Sequence, residues 1–128
     1  KKAIGTAWID SDHREMEIKG RDVAEGMSRS LLIGSDEVYD AISDALTQIV
    51  RVIRETLENT PPELAADIGE RGMVIAGGGA LIRDMDRRLM QETGLAVVIA
   101  DDPLTCVARG CGRALEDMAV LGDVFTRE

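Results

Sequence analysis

The feature that most constrains the fold is a short apolar segment that runs directly into three consecutive glycines, Gly77–Gly79. Residues 72–76 are apolar or lack a side chain, and apolar residues recur at helical spacing after the glycines. A short, continuously apolar run is typical of a strand that is buried on both faces. The sequence therefore predicts such a strand, a glycine turn (Gly77–Ala80) and a helix over about residues 80–92.

The glycine turn has properties of a ligand site. Ligands of open α/β sheets bind at the carboxyl ends of the strands, and glycines let a flat or anionic ligand approach the backbone. A following helix offers unpaired N–H groups. Two phosphate motifs are excluded, because the third glycine of a dinucleotide fingerprint falls on Ile82 and no Gly-Lys-Ser/Thr follows as in a P-loop. A tight turn that only lets strand and helix pack remains the alternative.

The composition narrows the classes of partner. The chain has 128 residues, 45% of them apolar, and a formal net charge of −9. Only Trp8, Tyr39 and Phe125 are aromatic, so the core of this single domain must be aliphatic. The negative charge disfavours binding to nucleic acid and to anionic membrane surfaces. No apolar run approaches the roughly 20 residues of a membrane span, and no secretory signal is present.

The sequence offers no metal site. Cys106 and Cys111 lie five positions apart in a helical pattern, without zinc spacing, and the single His13 is remote in sequence. We expect both cysteines to be reduced, buried thiols of a cytosolic protein.

The N-terminal part predicts a small β-structure. A hairpin is expected over residues 16–33 with its turn at 24–27, and an irregular lid segment is the alternative. The chain begins at Lys1 without Met, and residues 1–7 are interpreted as the tail of a helix. We therefore expect the chain to be a fragment of a larger protein.

Two helices are predicted next. Ser35 is the expected N-cap of a long helix whose apolar residues recur at steps of three and four from Val38 to Leu57. Thr60 is the expected N-cap of a short helix with Pro61 at its first position, which ends at Gly69 or Gly72.

A βαβ unit and a final helix complete the pattern. Residues 95–100 predict a second buried strand, parallel to the first and joined to it by a right-handed crossover, with Gly94 ending the intervening helix. Asp102 is the expected cap of the last helix, with Pro103 at its first position. Its predicted buried side is Leu104, Val107, Ala108, Cys111, Ala114, Leu115 and Met118. Gly110 and Gly112 cost helix propensity, which predicts very close packing against that helix.

Three segments together resemble the C-terminal part of the MreB family of bacterial actin homologues. These are residues 60–68 (TPPELAADI), 71–82 (RGMVIAGGGALI) and 102–110 (DPLTCVARG). Residues 18–22 (IKGRD) and the Asp-Val-Phe of the tail fit the same family, so the resemblance covers nearly the whole chain.

The resemblance implies an α/β fold that is part of the actin-like ATPase (ribonuclease H-like) fold, a βαβ unit with a small β-rich N-terminal subdomain portion. It assigns residues 1–34 to an outer subdomain, 35–101 to an inner nucleotide-side subdomain, and 102–128 to a helix that packs on the first domain. The implied cofactor is ATP or ADP, with Mg in the full-length parent. Gly77, Gly78, Gly79 and Ala80 would lie along adenine and ribose, and Lys1 would be the last residue of a Glu-Arg-Ile-Lys segment bordering the nucleotide.

Parts of the family pattern are missing from these residues. Both phosphate-binding hairpins, with their catalytic and magnesium-binding acidic residues, and the membrane-contacting element lie upstream in the family. No catalytic residue is identified: Asp101 and Asp102 follow a strand, where catalytic carboxylates can sit, but helix capping explains Asp102 more simply. We expect no ATP hydrolysis by this chain alone.

The implied role of the parent is to form membrane-associated filaments at the cytoplasmic face of the inner membrane and to maintain rod shape with other morphogenesis proteins. A fragment without the first domain should expose an apolar face, so we expect the chain to self-associate by exchanging its final helix between copies. The alternatives are a non-catalytic protein-interaction module and another ATPase of the actin/Hsp70 superfamily.

Overall fold

The computed structural model describes residues 3–117 as two small sheets and four α-helices. In chain order the elements are β1 (Glu15–Arg21), β2 (Ser28–Gly34), α1 (Ser35–Glu58), α2 (Pro62–Arg71), β3 (Met73–Ile75), a 3-10 helix (Gly78–Leu81), α3 (Met85–Thr93), β4 (Val97–Ile99) and α4 (Cys106–Glu116).

The predicted hairpin is confirmed. β1 and β2 pair antiparallel with Ile18 opposite Leu31, and the turn closes through a 2.8 Å hydrogen bond from Asp22 N to Met27 O. Gly26 adopts φ 70° in this turn, a conformation that favours glycine.

The long helix is confirmed, but Ser35 is not its cap. Ser35 is the first helical residue and Gly34 precedes the helix, where its N–H donates to the Glu37 carboxylate over 2.8 Å. The Ser35 hydroxyl is buried and accepts a 3.1 Å hydrogen bond from Arg14 N. The side chain is therefore used to hold the preceding loop, which competes with capping.

The predicted cap at Thr60 is also wrong. The helix begins at Pro62, with Pro61 before it, and no side chain caps it. The Thr60 hydroxyl instead donates to Thr56 O of α1 over 2.7 Å. Gly72 ends the helix with φ 77°, as one of the two predicted alternatives.

The βαβ unit is confirmed. β3 and β4 pair in parallel, with Val74 opposite Val98, and Gly94 ends α3 in the left-handed conformation at φ 73°. The intervening helix begins at Met85 rather than near Ala80. The chain first makes the 3-10 helix and then an extended residue at Ile82, so the apolar residues before Met85 belong to the connection.

The core lies between α1, α3 and one face of the β3–β4 sheet. Its buried members are Ala7, Leu46, Val50, Met85, Leu89 and Val97. The N-terminal segment reaches this core through an isolated parallel bridge between Thr6 and Arg83, and Ala7 N donates to Arg83 O over 2.8 Å. The predicted helix tail is therefore wrong for the described residues of this segment.

The other face of the sheet is exposed. Val74 and Val98 are 71% and 58% exposed, so the prediction that both strands are buried on both faces is wrong. The apolar run predicts a covering layer, but no element among residues 3–117 supplies one on this side.

The last helix departs from its prediction in the same way. It begins at Cys106, and Leu104, Val107 and Leu115 are 64%, 68% and 60% exposed. A side chain added at Gly110 or Gly112 would meet nothing within 4 Å, so the expected close packing is absent from the described residues. Met118 lies outside them.

Candidate functional site

The glycine turn lies at the carboxyl end of β3, as predicted. Gly77 adopts φ 81° and starts the turn, and the 3-10 helix closes through Ala80 N to Gly77 O (3.2 Å) and Ile82 N to Gly79 O (3.1 Å). Ala80 is only 5% exposed, so its methyl group anchors the turn and points away from solvent.

The loop after β4 lies beside this turn. Ala100 N donates to Ile75 O over 2.9 Å and thereby extends the parallel ladder, and Gly77 N donates to Pro103 O over 2.6 Å. Both loops therefore meet at the carboxyl edge of the two parallel strands, where α/β sheets bind ligands. The sequence indicated the edge but not the role of the Pro103 carbonyl.

The backbone of the turn is accessible. Gly78 and Gly79 are exposed, and a Cβ placed at Gly77 or Gly79 would meet nothing within 4 Å. At Gly78 the added Cβ would lie 3.7 Å from Leu104 Cδ2, an ordinary contact. A flat ligand can therefore lie directly on the peptide planes of the turn.

The helix behind the turn does not contribute as predicted. Because α3 begins at Met85, its first N–H groups do not directly follow the glycines. Asp84 precedes the helix at φ 58°, and its carboxylate accepts a hydrogen bond from the Ser11 hydroxyl. The turn thus offers backbone surface without a helix N-terminus at its end.

Asp102 holds the β4–α4 loop. It adopts φ 49°, and its carbonyl accepts hydrogen bonds from Thr105 N (3.0 Å) and Cys106 N (3.2 Å). The Thr105 hydroxyl donates to its carboxylate. The prediction that Asp102 caps a helix starting at Pro103 is therefore wrong: the residue stabilises a turn that precedes α4. Asp101 beside it is exposed.

The remaining predicted residues fall outside the turn. Lys1 lies outside the described residues. Cys106 is partly buried and Cys111 exposed, so the predicted burial is wrong for Cys111. Within residues 3–117 no group of three or more His, Cys, Asp or Glu is arranged to hold a metal ion.

The structure also contains a polar cleft that the sequence did not indicate. It has a volume of about 280 Å³ and lies between the N-terminal segment and the start of α1. Thr6, Ser11, His13, Asp36 and Tyr39 are among its lining residues. The Ser11 hydroxyl contacts Thr6 Oγ1 at 2.6 Å and Asp84, and His13 Nδ1 lies 3.6 Å from Asp36. Because Ser11 is bonded to groups other than His13, the cleft lacks the nucleophile–base contact of a hydrolase.

Among residues 3–117, no helix combines the length and apolar character needed to cross a bilayer.

Comparison with known proteins identifies the family. The family model for MreB/Mbl protein matches residues 1–123. The chain is 52% identical over 129 residues to the cell shape-determining protein MreB of Escherichia coli (strain K12), covering 100% of this chain and 37% of that protein. It is 41% identical over 118 residues to the cell shape-determining protein Mbl of Bacillus subtilis (strain 168), covering 92% of this chain and 35% of that protein. The chain belongs to the MreB/Mbl family, and it spans little more than a third of these relatives' length.

Solved structures agree with this assignment. The chain matches the crystal structure of MreB5 of Spiroplasma citri bound to ADP with a TM-score of 0.85 and 38% identity, over 91% of this chain and 36% of that one. The AMPPNP-bound structure of the same protein gives a TM-score of 0.84 at 37% identity, over 92% of this chain and 35% of that one. The prediction that the chain forms part of the actin-like ATPase fold is confirmed by this likeness.

Proposed function

We propose that this chain carries the adenosine side of the ATP site of an actin-like filament protein. The observation that carries the proposal is the open glycine turn at the carboxyl edge of β3, where Gly78 and Gly79 expose their backbone. Adenine is flat, and it can approach a peptide plane closely only where no Cβ intervenes. Gly77–Ala80 would contact adenine and ribose, and Lys1 would border the nucleotide.

The related MreB5 of Spiroplasma citri has been crystallised with ADP and with AMPPNP, which supports a nucleotide as the ligand. In the parent, Mg²⁺ and the residues that hold the phosphates would complete the site. Charge-assisted contacts to phosphate are the stronger part of such a site, so the adenosine side alone binds weakly. ATP hydrolysis belongs to the parent and not to these residues by themselves.

At the level of the whole protein, we place the chain in a filament at the inner face of the bacterial inner membrane that maintains rod shape. Similarity to cell shape-determining proteins supports this role. The partners are further copies of the protein and membrane-bound morphogenesis proteins. The separate β1–β2 sheet supports a boundary near residue 34. By resemblance to the family, residues 35–101 would form the nucleotide-side subdomain and residues 102–128 would belong to a helix that packs on the first domain.

The direct test is Gly79→Ala. The added methyl group would meet no protein atom within 4 Å, and Gly79 is not among the positive-φ glycines, so the fold is retained. The methyl group would stand on the surface where adenosine lies. We expect adenosine to bind about tenfold more weakly, a steric effect of ordinary size for one misplaced methyl group. Ligand-observed NMR titration measures the change.

Gly69→Ala is the matched control. Gly69 lies in α2, has the same open surroundings and lacks a positive φ. Its replacement should leave adenosine binding unchanged and raise the free energy of unfolding by roughly 0.5–1 kcal/mol, because alanine favours the helix. Equal adenosine affinity in the Gly79→Ala and Gly69→Ala variants would refute the proposed site.

A further inference from the structure

Two successive residues of the β4–α4 loop, Pro103 and Leu104, lie next to the glycine turn. The Pro103 carbonyl accepts the N–H of Gly77 over 2.6 Å. The next side chain, Leu104, lies beside Gly78: a Cβ built on Gly78 would be 3.7 Å from Leu104 Cδ2, the distance of an ordinary van der Waals contact. One short loop therefore hydrogen-bonds the start of the turn and lies beside its middle.

The loop is itself fixed at both ends. On the β4 side, Ala100 N donates to Ile75 O over 2.9 Å. On the α4 side, the Asp102 carbonyl accepts from Thr105 N and Cys106 N. Leu104 sits between these anchors, so its backbone is held even though its side chain is 64% exposed.

A run of three glycines leaves the backbone of the turn free to adopt many conformations. Glycine loses more conformational freedom on ordering than any other residue, and a ligand that must order the turn loses affinity accordingly. A side chain that restricts the turn before the ligand arrives removes part of that loss. Leu104 does not belong to the buried core.

We propose that Leu104 is a positioning residue for the glycine turn. Its side chain packs on Gly78 and restricts the backbone of residues 77–79, which raises the affinity of the turn for adenosine. The inference rests on the proposed adenosine site for its functional consequence. Its structural part, the restriction of the turn, holds without any ligand.

The test compares Leu104→Ala with Leu115→Ala. Leu115 is a matched control because it is 60% exposed and lies near the far end of α4. Two quantities are measured on the 128-residue chain: the backbone amide signals of Gly77–Gly79 without ligand, and the dissociation constant of adenosine. Leu104→Ala should move or broaden those signals and weaken adenosine binding about threefold to tenfold, a fraction of the free energy of one apolar contact. Leu115→Ala should do neither.

The thermal midpoints of the two variants should be alike, because both side chains are exposed, and Leu104→Met should restore adenosine affinity. Unchanged Gly77–Gly79 signals in ligand-free Leu104→Ala would overturn the inference, as would shifted signals with unchanged affinity. If the unmodified chain binds no adenosine, the proposed site fails, while the ligand-free amide comparison still decides whether Leu104 restricts the turn.

Discussion

At the scale of single residues, Gly72 combines a positive φ with a lack of space for a side chain. It adopts φ 77°, and a Cβ there would lie 2.3 Å from the carbonyl oxygen of Ala96. That carbonyl accepts the N–H of Met73 at the start of the parallel pair. Gly94 has a similar φ of 73°, but a Cβ there would meet nothing within 4 Å. An alanine at position 94 would therefore meet backbone strain alone, whereas an alanine at position 72 would meet both strain and a steric clash.

We expect Gly94→Ala to lower the free energy of unfolding by about 1–2 kcal/mol, the strain of a left-handed alanine. Gly72→Ala adds a backbone clash and should cost roughly 3 kcal/mol or more, or prevent folding. Urea unfolding of both variants measures the difference. Equal destabilisation would show that the β3–β4 pairing does not depend on the close approach at Gly72.

Asp22 predicts a local pH dependence in the hairpin turn. Its carboxylate accepts hydrogen bonds from Ala24 N (2.9 Å), Glu25 N (3.3 Å) and the Arg29 guanidinium (3.3 Å). These bonds, the one from Ala24 foremost, lower the pKa of Asp22 below its usual value. Because the folded pKa is the lower one, the stabilisation is complete above the ordinary pKa of about 3.9 and is lost as the pH falls through the folded value.

NMR titration of the Asp22 carboxyl carbon should give a midpoint below that of a model aspartate. Arg29→Gln should move the midpoint upward by less than removal of both backbone bonds would, since the guanidinium is the smallest of the three causes. A midpoint at or above the model value would contradict the described turn.

At the scale of elements, Arg54 links α1 to the end of α3. Its guanidinium donates to Glu92 O from Nε (3.0 Å) and Nη2 (2.6 Å), and Nη2 also bonds Glu92 Oε2 at 2.8 Å. The Glu92 carbonyl belongs to the last turn of α3, where carbonyls lack partners within the helix. Arg54 thus satisfies a helix end from a neighbouring helix.

Arg54→Ala should lower the free energy of unfolding by about 1 kcal/mol, a typical net value for hydrogen bonds of this kind. Arg51→Ala is the control on the same helix, because the ion pair that Arg51 makes within residues 3–117 is an exposed one with Glu55 at 3.6 Å. Its loss should stay below about 0.5 kcal/mol. Chemical denaturation of both variants ranks them, and a larger loss at Arg51 would contradict the linking role of Arg54.

The elements that the sequence predicted best are those with local periodicity. The steps of three and four in α1 and the apolar run, helix and second run of the βαβ unit are all confirmed. The cap residues were less predictable. Ser35 and Thr60 have the side chains that helix caps prefer, but each hydroxyl is bonded elsewhere, to Arg14 N and to Thr56 O. Propensity gives the residue type for a cap, whereas tertiary contacts decide which hydrogen bond forms.

At the scale of the whole molecule, several apolar side chains of the β3–β4 sheet and of α4 are left uncovered by the described residues. Val74 and Val98 on the sheet and Val107 on α4 are all more than half exposed. The sequence pattern correctly marked these residues as apolar, and no element among residues 3–117 packs on them. Exposed apolar faces of this kind favour association.

We therefore expect the 128-residue chain to self-associate at high concentration. Val107→Glu should shift the sedimentation profile toward the monomer, because it places a charge in the exposed face of α4. Val23→Glu is the matched control, since Val23 is 99% exposed in the hairpin turn and should leave the profile unchanged. A chain that remains strictly monomeric at high concentration would contradict this expectation.

Only part of the candidate site was predictable from the sequence. The glycine triplet after an apolar run marks the turn from local sequence alone. Its hydrogen bond to Pro103 depends on the parallel pairing that brings two loops together, and no local pattern encodes that contact. The position of the helix behind the turn was missed because Leu81 and Ile82 continue the helical spacing of α3 although they precede it.

The most direct measurement of the central claim is a titration of the chain with adenosine and with ATP, followed by backbone amide NMR. We predict shifts centred on Gly77–Ala80 and the adjoining β4–α4 loop, with similar weak affinity for both ligands, because these residues would contact the nucleoside. No shift up to millimolar ligand, or shifts centred instead on the cleft between Ser11 and Asp36, would contradict an adenosine site in the glycine turn.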